Sequence, residues 1–158
     1  MEIRRVQHTD RNRISEILSD VRNFNSEEVR IALELVDDAL EKGERSDYQA
    51  YVLAEDDSII QGYICYGKTP LTDSTFDFYW LAVSPAAQGK GYGRILISFV
   101  EEQVKGAGGT ILVLETSSLE SYSRTVRIYV ECGYQIVARI KNFYRAGDDK
   151  IILMKELN

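Results

Sequence analysis

Seven residues, Gln88-Gly89-Lys90-Gly91-Tyr92-Gly93-Arg94, set glycine at every second position with the cations Lys90 and Arg94 beside the gaps. Glycine bares the main-chain amides, and the stretch that follows has helical spacing, so the dipole of a helix N-terminus adds to them. Amides and dipole together make an anion site suited to phosphate. Two phosphate-binding turns fail on register. The dinucleotide fingerprint GxGxxG needs a third glycine where Arg94 stands, although Glu115 lies about twenty residues on, as a ribose-binding acid should. The nucleoside-triphosphate loop GxxxxGK[ST] needs Ser or Thr after its lysine, and Lys90 is followed by Gly91.

A turn of this kind needs a strand ahead of it and a helix behind it. "FDFYWLAV" is an aromatic-rich strand ending at Val83. Leu96, Phe99, Val100 and Val104 then repeat at helical spacing, with Gly106 as the expected stop. "TILVLET" is a continuous apolar run of the sort found in strands covered on both faces. Residues 122–132 read as a helix ending at Gly133. Upstream, "EIRRVQ" is a strand. Thr9 or Asp10 is expected to cap a helix carrying Ile14, Ile17, Leu18 and Val21. Ser26 starts a second helix with Val29, Leu33, Val36 and Leu40 on one face, stopped near Gly43. "YQAYVLAE" and "IIQGYICYG" form a hairpin around "DDS", and "PLTDST" is a polar loop. "YQIVARI" and "KIILMKEL" are the last strands, linked by "KNFYRAGDD". The pattern predicts one α/β (α+β) domain over residues 1–158, with a mixed, mostly antiparallel sheet and flanking helices.

The bulk properties exclude several classes. The chain has 158 residues, 44% hydrophobic and 28% charged, enough for a real core. No apolar run approaches a membrane span, and the first residues lack the apolar core of a signal peptide, so a cytoplasmic protein without a membrane role is expected. A net charge of −6 argues against nucleic acid as a partner. The acidic run Glu27, Glu28, Glu34, Asp37, Asp38, Glu41 and Glu44 reads as a solvated helix face. Cys65 and Cys132 have no CxxC spacing and read as small core fillers. His8, the single histidine, reads as a surface residue, so no metal site is expected.

Gln88 through Gly93 fits the pattern Q/R-x-x-G-x-G/A, and on it the chain resembles the GCN5-related N-acetyltransferase (GNAT) superfamily. The resemblance extends beyond the turn. "WLAVSPAAQGKGYGRILI" is similar to the central strand, turn and helix of that superfamily, and "RIYVECGYQIV" to its later helix and strand. "ARIKNFYRAGDDKIILMKEL" is similar to the closing hairpin of its ribosomal-protein acetyltransferase branch.

The resemblance implies a GNAT fold whose sheet is splayed at its middle strands, "FYWLAV" and "TILVLET". It implies acetyl-CoA as co-substrate, its diphosphate on Gln88, Gly89, Lys90, Gly91, Tyr92, Gly93 and Arg94. The pantetheine arm would lie along Leu81, Ala82 and Val83, held by backbone groups of Leu81 and Val83, with the Val83 amide facing the thioester oxygen. Tyr129 matches the family tyrosine that gives a proton to the departing thiolate. An alkyl amine of pKa about 10.4 costs about 4.6 kcal/mol to deprotonate at pH 7. A carboxylate base, worth on the order of 10²–10⁴ in rate, is therefore useful. Glu115 at the end of "ILVLE" and Asp77 on the preceding strand are the candidates. Tyr122 stands where many relatives carry Asn, so that contact is expected to be lost or replaced by Ser123 or Arg124. Tyr79, Phe143 and Tyr144, the last two in the final hairpin loop, are candidates for the acceptor groove. The implied activity is acetyl transfer to a primary amine, of a small molecule first and a protein or peptide N-terminus second. A homodimer is the expected assembly, and a non-catalytic acyl-CoA sensor is the alternative function.

Overall fold

The described residues, 1–56 and 58–158, form seven strands and four α-helices. The strands are β1 (Glu2–Arg5), β2 (Gln49–Ala54), β3 (Ile60–Lys68), β4 (Thr75–Val83), β5 (Ile111–Ser117), β6 (Gln135–Arg145) and β7 (Asp148–Glu156). The helices are α1 (Arg11–Asp20), α2 (Ser26–Lys42), α3 (Tyr92–Gly106) and α4 (Ser123–Glu131). In this computed structural model one open sheet runs β1-β2-β3-β4-β5-β7-β6, and β4–β5 is its parallel pair. The other neighbours are antiparallel, which matches the mixed α/β architecture predicted from the pattern.

Side chains alternate across each strand, so the sheet has two faces with a core on each. On one face α1 and α2 bury Ile14, Ile17, Leu18, Val29 and Val36 against Val52, Tyr63, Cys65 and Ala82. On the other, α3 and α4 bury Leu96, Ile97, Val100 and Tyr129 against Ile64, Phe76, Phe78, Leu112 and Leu153.

Local chemistry fixes the helix ends. Asn25 accepts from the amide of Glu28 at 2.9 Å while the Glu28 carboxylate accepts from the amide of Asn25, a reciprocal box that starts α2 at Ser26. The expected capping of α1 is not found. Asp10 instead accepts from the amide of Gln7 at 2.8 Å and from Arg4 at 2.7 Å, which draws its carboxylate back toward β1. α3 ends at Gly106, as expected, but Gly106 is not the residue that turns the chain away. The left-handed residue there is Gly108 (φ 81°), with the amide of Gly109 reaching back to the carbonyl of Val104 at 2.8 Å. At the end of α4, Gly133 (φ 94°) plays the predicted part, and the amide of Tyr134 reaches the carbonyl of Tyr129 at 3.0 Å.

Three further expectations need adjustment. Asp57 of the "DDS" turn lies outside the described residues. Phe143 and Tyr144 belong to β6 rather than to a loop, because the last hairpin runs on to Arg145 and turns at Gly147 (φ 82°). Its polar composition reads as loop because β6 is an edge strand exposed along nearly its whole length. Cys65 is fully buried as expected, while Cys132 is only partly so.

Candidate active site

The site begins with an irregularity in β4. Successive register partners are Cys65 with Trp80 and Tyr66 with Phe78, which leaves Tyr79 as an extra residue in the ladder. A bulge bends its strand, and here β4 leaves its parallel neighbour. Pairing with β5 is confined to Thr75–Ile111, Phe76–Leu112 and Asp77–Val113, and the remainder of both strands diverges. On the other edge the amide of Ser84 still donates to the carbonyl of Gln61 at 2.8 Å. Antiparallel ladders alternate, so the main-chain groups of Ala82 and Ser84 face β3. Those of Leu81 and Val83 face the opposite way, into the gap. Gln88 closes the corner by donating from Nε2 to the carbonyl of Val83 at 3.3 Å.

The glycine turn lies at the mouth of this gap. Gly89 (φ 81°) and Gly91 (φ 83°) adopt the left-handed conformation, and Gly91 leads directly into α3. Gly93 has no such angle, and a Cβ built on it would meet nothing within 4 Å. Neither backbone strain nor packing within the chain requires glycine there. The first-turn amides of a helix have no intrahelical acceptor, and those of Gly89 through Arg94 find none elsewhere among the described residues.

Turn, strand end and helix α4 enclose a cleft of about 880 Å³. Leu81, Ala82, Val83, Gln88, Gly89, Gly91, Tyr92, Gly93, Arg94 and Tyr129 all line it; Lys90 does not, and its Nζ lies 6.0 Å from the ring centre of Tyr92. Arg124, a candidate from the sequence, stands on the wall, and so do residues that the sequence reading passed over. Arg22 and Arg127 join Arg94 and Arg124, while Asp20 and Glu131 are the carboxylates. An excess of guanidinium groups in a protein of net charge −6 makes the cleft a place for anions. Arg124, Arg127 and Glu131 fall on one stripe of α4 by their spacing, a signal the sequence did offer.

Tyr129 is 3% exposed, packed edge-on against Phe78 and Tyr134 at ring separations of 5.7 and 5.3 Å. Burial, with a smaller contribution from Cys132, pushes its phenol well above the ordinary tyrosine value, so the group stays protonated. Its helix end is fixed by Lys155 of β7, whose Nζ donates to the carbonyl of Cys132 at 2.8 Å and to Glu101 of α3 at 2.9 Å. Tyr122 does not face the cleft. Its hydroxyl donates to the carbonyl of Asn23 at 2.6 Å and ties the start of α4 to the α1–α2 loop. Arg124 is on the cleft wall and Ser123 is not. His8 is exposed in a single 3₁₀ turn.

The two candidate bases lie apart from this wall. Leu112 and Leu114 point into the α3–α4 core, so Val113 and Glu115 point to the opposite face. Asp77, between Phe76 and Phe78, shares that opposite face and pairs with Val113, where the strands part. Asp77 accepts from Thr69 Oγ1 at 2.7 Å. Glu115 is 55% exposed and has Oε2 on Lys150 Nζ at 2.8 Å, leaving Oε1 without a partner among the described residues. On the same face Phe24 of the α1–α2 loop packs edge-on against Trp80 at 5.3 Å, and Tyr79 against Tyr48 at 5.3 Å. Among the described residues no group of His, Cys, Asp and Glu is placed to hold a metal ion, and no helix is long and apolar enough to cross a membrane.

Known proteins share this fold. The family model for an acetyltransferase (GNAT) domain matches residues 46–136. The chain is 31% identical over 94 residues to a curated relative, the [ribosomal protein bS18]-alanine N-acetyltransferase of Haemophilus ducreyi. That match takes in 60% of this chain and 61% of the relative, so about three fifths of the relative's length is spanned. A crystal structure from Desulfovibrio desulfuricans, assigned to the GNAT family of acetyltransferases, superposes with a TM-score of 0.95 at 40% identity, over 99% of each chain. An aminoglycoside 6'-N-acetyltransferase complexed with coenzyme A has the same fold, with a TM-score of 0.76 at 16% identity over 100% of this chain and 98% of that one.

Proposed function

The chain belongs to the GNAT acetyltransferase family, and we propose that it transfers an acetyl group from acetyl-CoA to a primary amine by direct attack. The observation that carries this reading is the one cleft that joins an unsatisfied run of amides, outward-facing strand groups at Leu81 and Val83, and a protonated, buried Tyr129. The fit to a diphosphate-bearing carrier is supported by the amides of Gly89 through Arg94 and by Gly93, which leaves the space over that backbone open. The guanidinium groups of Arg22, Arg124 and Arg127 add charge for the carrier's phosphates. When bound, the carrier supplies the thioester.

The chain's own residues do the rest. Leu81 and Val83 hold the arm as if it were the next strand, and the Val83 amide faces the oxygen on which negative charge grows. As the amine nitrogen bonds to the acetyl carbon, the carbon–sulfur bond breaks and the Tyr129 hydroxyl gives its proton to the leaving thiolate. The ammonium proton goes to a carboxylate at the parting of β4 and β5, directly or through water. Each has one oxygen engaged, Glu115 by Lys150 and Asp77 by Thr69, and Glu115 is the more exposed of the two, so it is the first base to test. The acceptor enters on the face walled by the α1–α2 loop, Trp80 and the β6–β7 hairpin. A small-molecule amine is the first acceptor to try and a peptide N-terminus the second.

The test is acceptor-dependent thiol release from acetyl-CoA across a panel of amines and peptides. Tyr129→Phe is expected to lower kcat by on the order of 10²-fold or more while leaving CoA affinity within about twofold. A protein that binds CoA yet releases no thiol with any acceptor is a sensor, and the transferase reading fails.

A further inference from the structure

Arg94 and Glu131 meet across the cleft. The guanidinium of Arg94, in the first turn of α3, donates to the carboxylate of Glu131, the last residue of α4, and both side chains line the cleft wall. Each charge sits at the helix end that its own sign disfavours, since a helix N-terminus repels a cation and a C-terminus repels an anion. Helix stability therefore does not account for either residue. Nor is the pair needed to anchor α4, whose end is already held by Lys155 and by the turn at Gly133. Both side chains are largely exposed, 59% and 44%, and such pairs contribute little to folding. Arg22, Arg124 and Arg127 have no carboxylate partner among the described residues, so of the guanidinium groups on the wall Arg94 is the one already engaged.

We propose that Glu131 is a built-in competitor for the diphosphate: it holds Arg94 in the empty cleft and gives it up when the carrier's anion arrives. This inference rests on the cofactor reading above. Arg94 stands within the first turn of α3, beside the amides that take the diphosphate, so phosphate and carboxylate contend for the same guanidinium. The exchange sets the affinity of the cleft below what its cations alone would give. A restrained grip suits a site that must let the spent carrier go at each turnover, a step that often limits kcat.

The test is a calorimetric titration with coenzyme A itself, on the unsubstituted chain, Glu131→Gln and Arg94→Gln, each at low and high salt. Glu131→Gln is expected to bind about three- to fivefold more tightly at low salt, with the advantage shrinking at high salt as the charges are screened. Its melting temperature without ligand stays within about 2 °C of the parent, as expected for an exposed pair. Arg94→Gln is expected to bind about tenfold more weakly. If the unsubstituted chain does not bind coenzyme A, the cofactor reading falls and this inference with it. If it binds, and Glu131→Gln leaves the affinity unchanged or weakens it, or Arg94→Gln leaves it unchanged, this inference alone is overturned.

Discussion

A glycine is required either by its own backbone angles or by what must pass over it, and Gly93 separates the two. Gly91 cannot be tested cleanly, because its φ of 83° would strain any replacement. Gly93→Ala introduces a methyl into open space on an ordinary helical backbone. The chain should keep its melting temperature, or gain up to about 1 kcal/mol, while coenzyme A affinity falls by about tenfold or more. Thermal denaturation and titration of one protein sample check both halves, and unchanged affinity would remove the diphosphate from this turn. At this scale the sequence was informative where function is local: the turn from Gln88 to Arg94 and Tyr129 four residues before Gly133 were both legible. Arg22 was not, and the stripe of Arg127 and Glu131 was visible by spacing without showing what it faces, because their shared wall is made by packing α4 against the mouth of the turn. Tyr122 was legible as a departure from its family, but its bond to Asn23 spans ninety-nine residues and has no local signal.

The elements show why the slot exists. A regular β4 would continue its ladder with β5 beyond Asp77, and the extra residue Tyr79 diverts it. Deleting Tyr79 keeps Trp80 and Ala82 on the α1–α2 face, so the cores survive apart from the ring contact with Tyr48. The expected result is a folded protein, about 1–3 kcal/mol less stable, whose coenzyme A affinity drops at least tenfold as the strands close up. Circular dichroism with titration tests this; full affinity in the deletion variant would sever bulge from slot. The run of three aromatics, Phe78, Tyr79 and Trp80, was the visible trace of the bulge, yet a single sequence cannot tell it from aromatic packing. Strand and helix identities were readable because apolar periodicity encodes burial directly. The extension of β6 through Phe143 and Tyr144 was not, since an exposed edge strand has no buried face to impose alternation.

At the scale of the whole molecule, the sheet's cores are rich in phenols and hold one buried thiol. Burial pushes Tyr63, Tyr129 and Tyr134 above the ordinary tyrosine value and lifts Cys65 to about 12. These groups are neutral when protonated, and the unfolded chain gives up their protons at lower pH than the folded one does. Their contribution is complete below the unfolded values, about 8.5 for the thiol and 10 for the phenols, and is lost as pH rises through the folded ones. Stability should thus decline above about pH 8.5 and more steeply above pH 10, by on the order of 1.4 kcal/mol per pH unit for each buried phenol. Denaturant melts from pH 7 to 11 check the slope, and a flat profile would show those groups reaching solvent in the native state. The three residue pairs that join β4 to β5 have a different consequence. So short a seam hands the work of joining the two halves of the sheet to the core beneath it, where Ile64 and Phe78 from one half pack with Leu112 and Leu153 from the other, so that trimming a side chain there would reset the width of the slot.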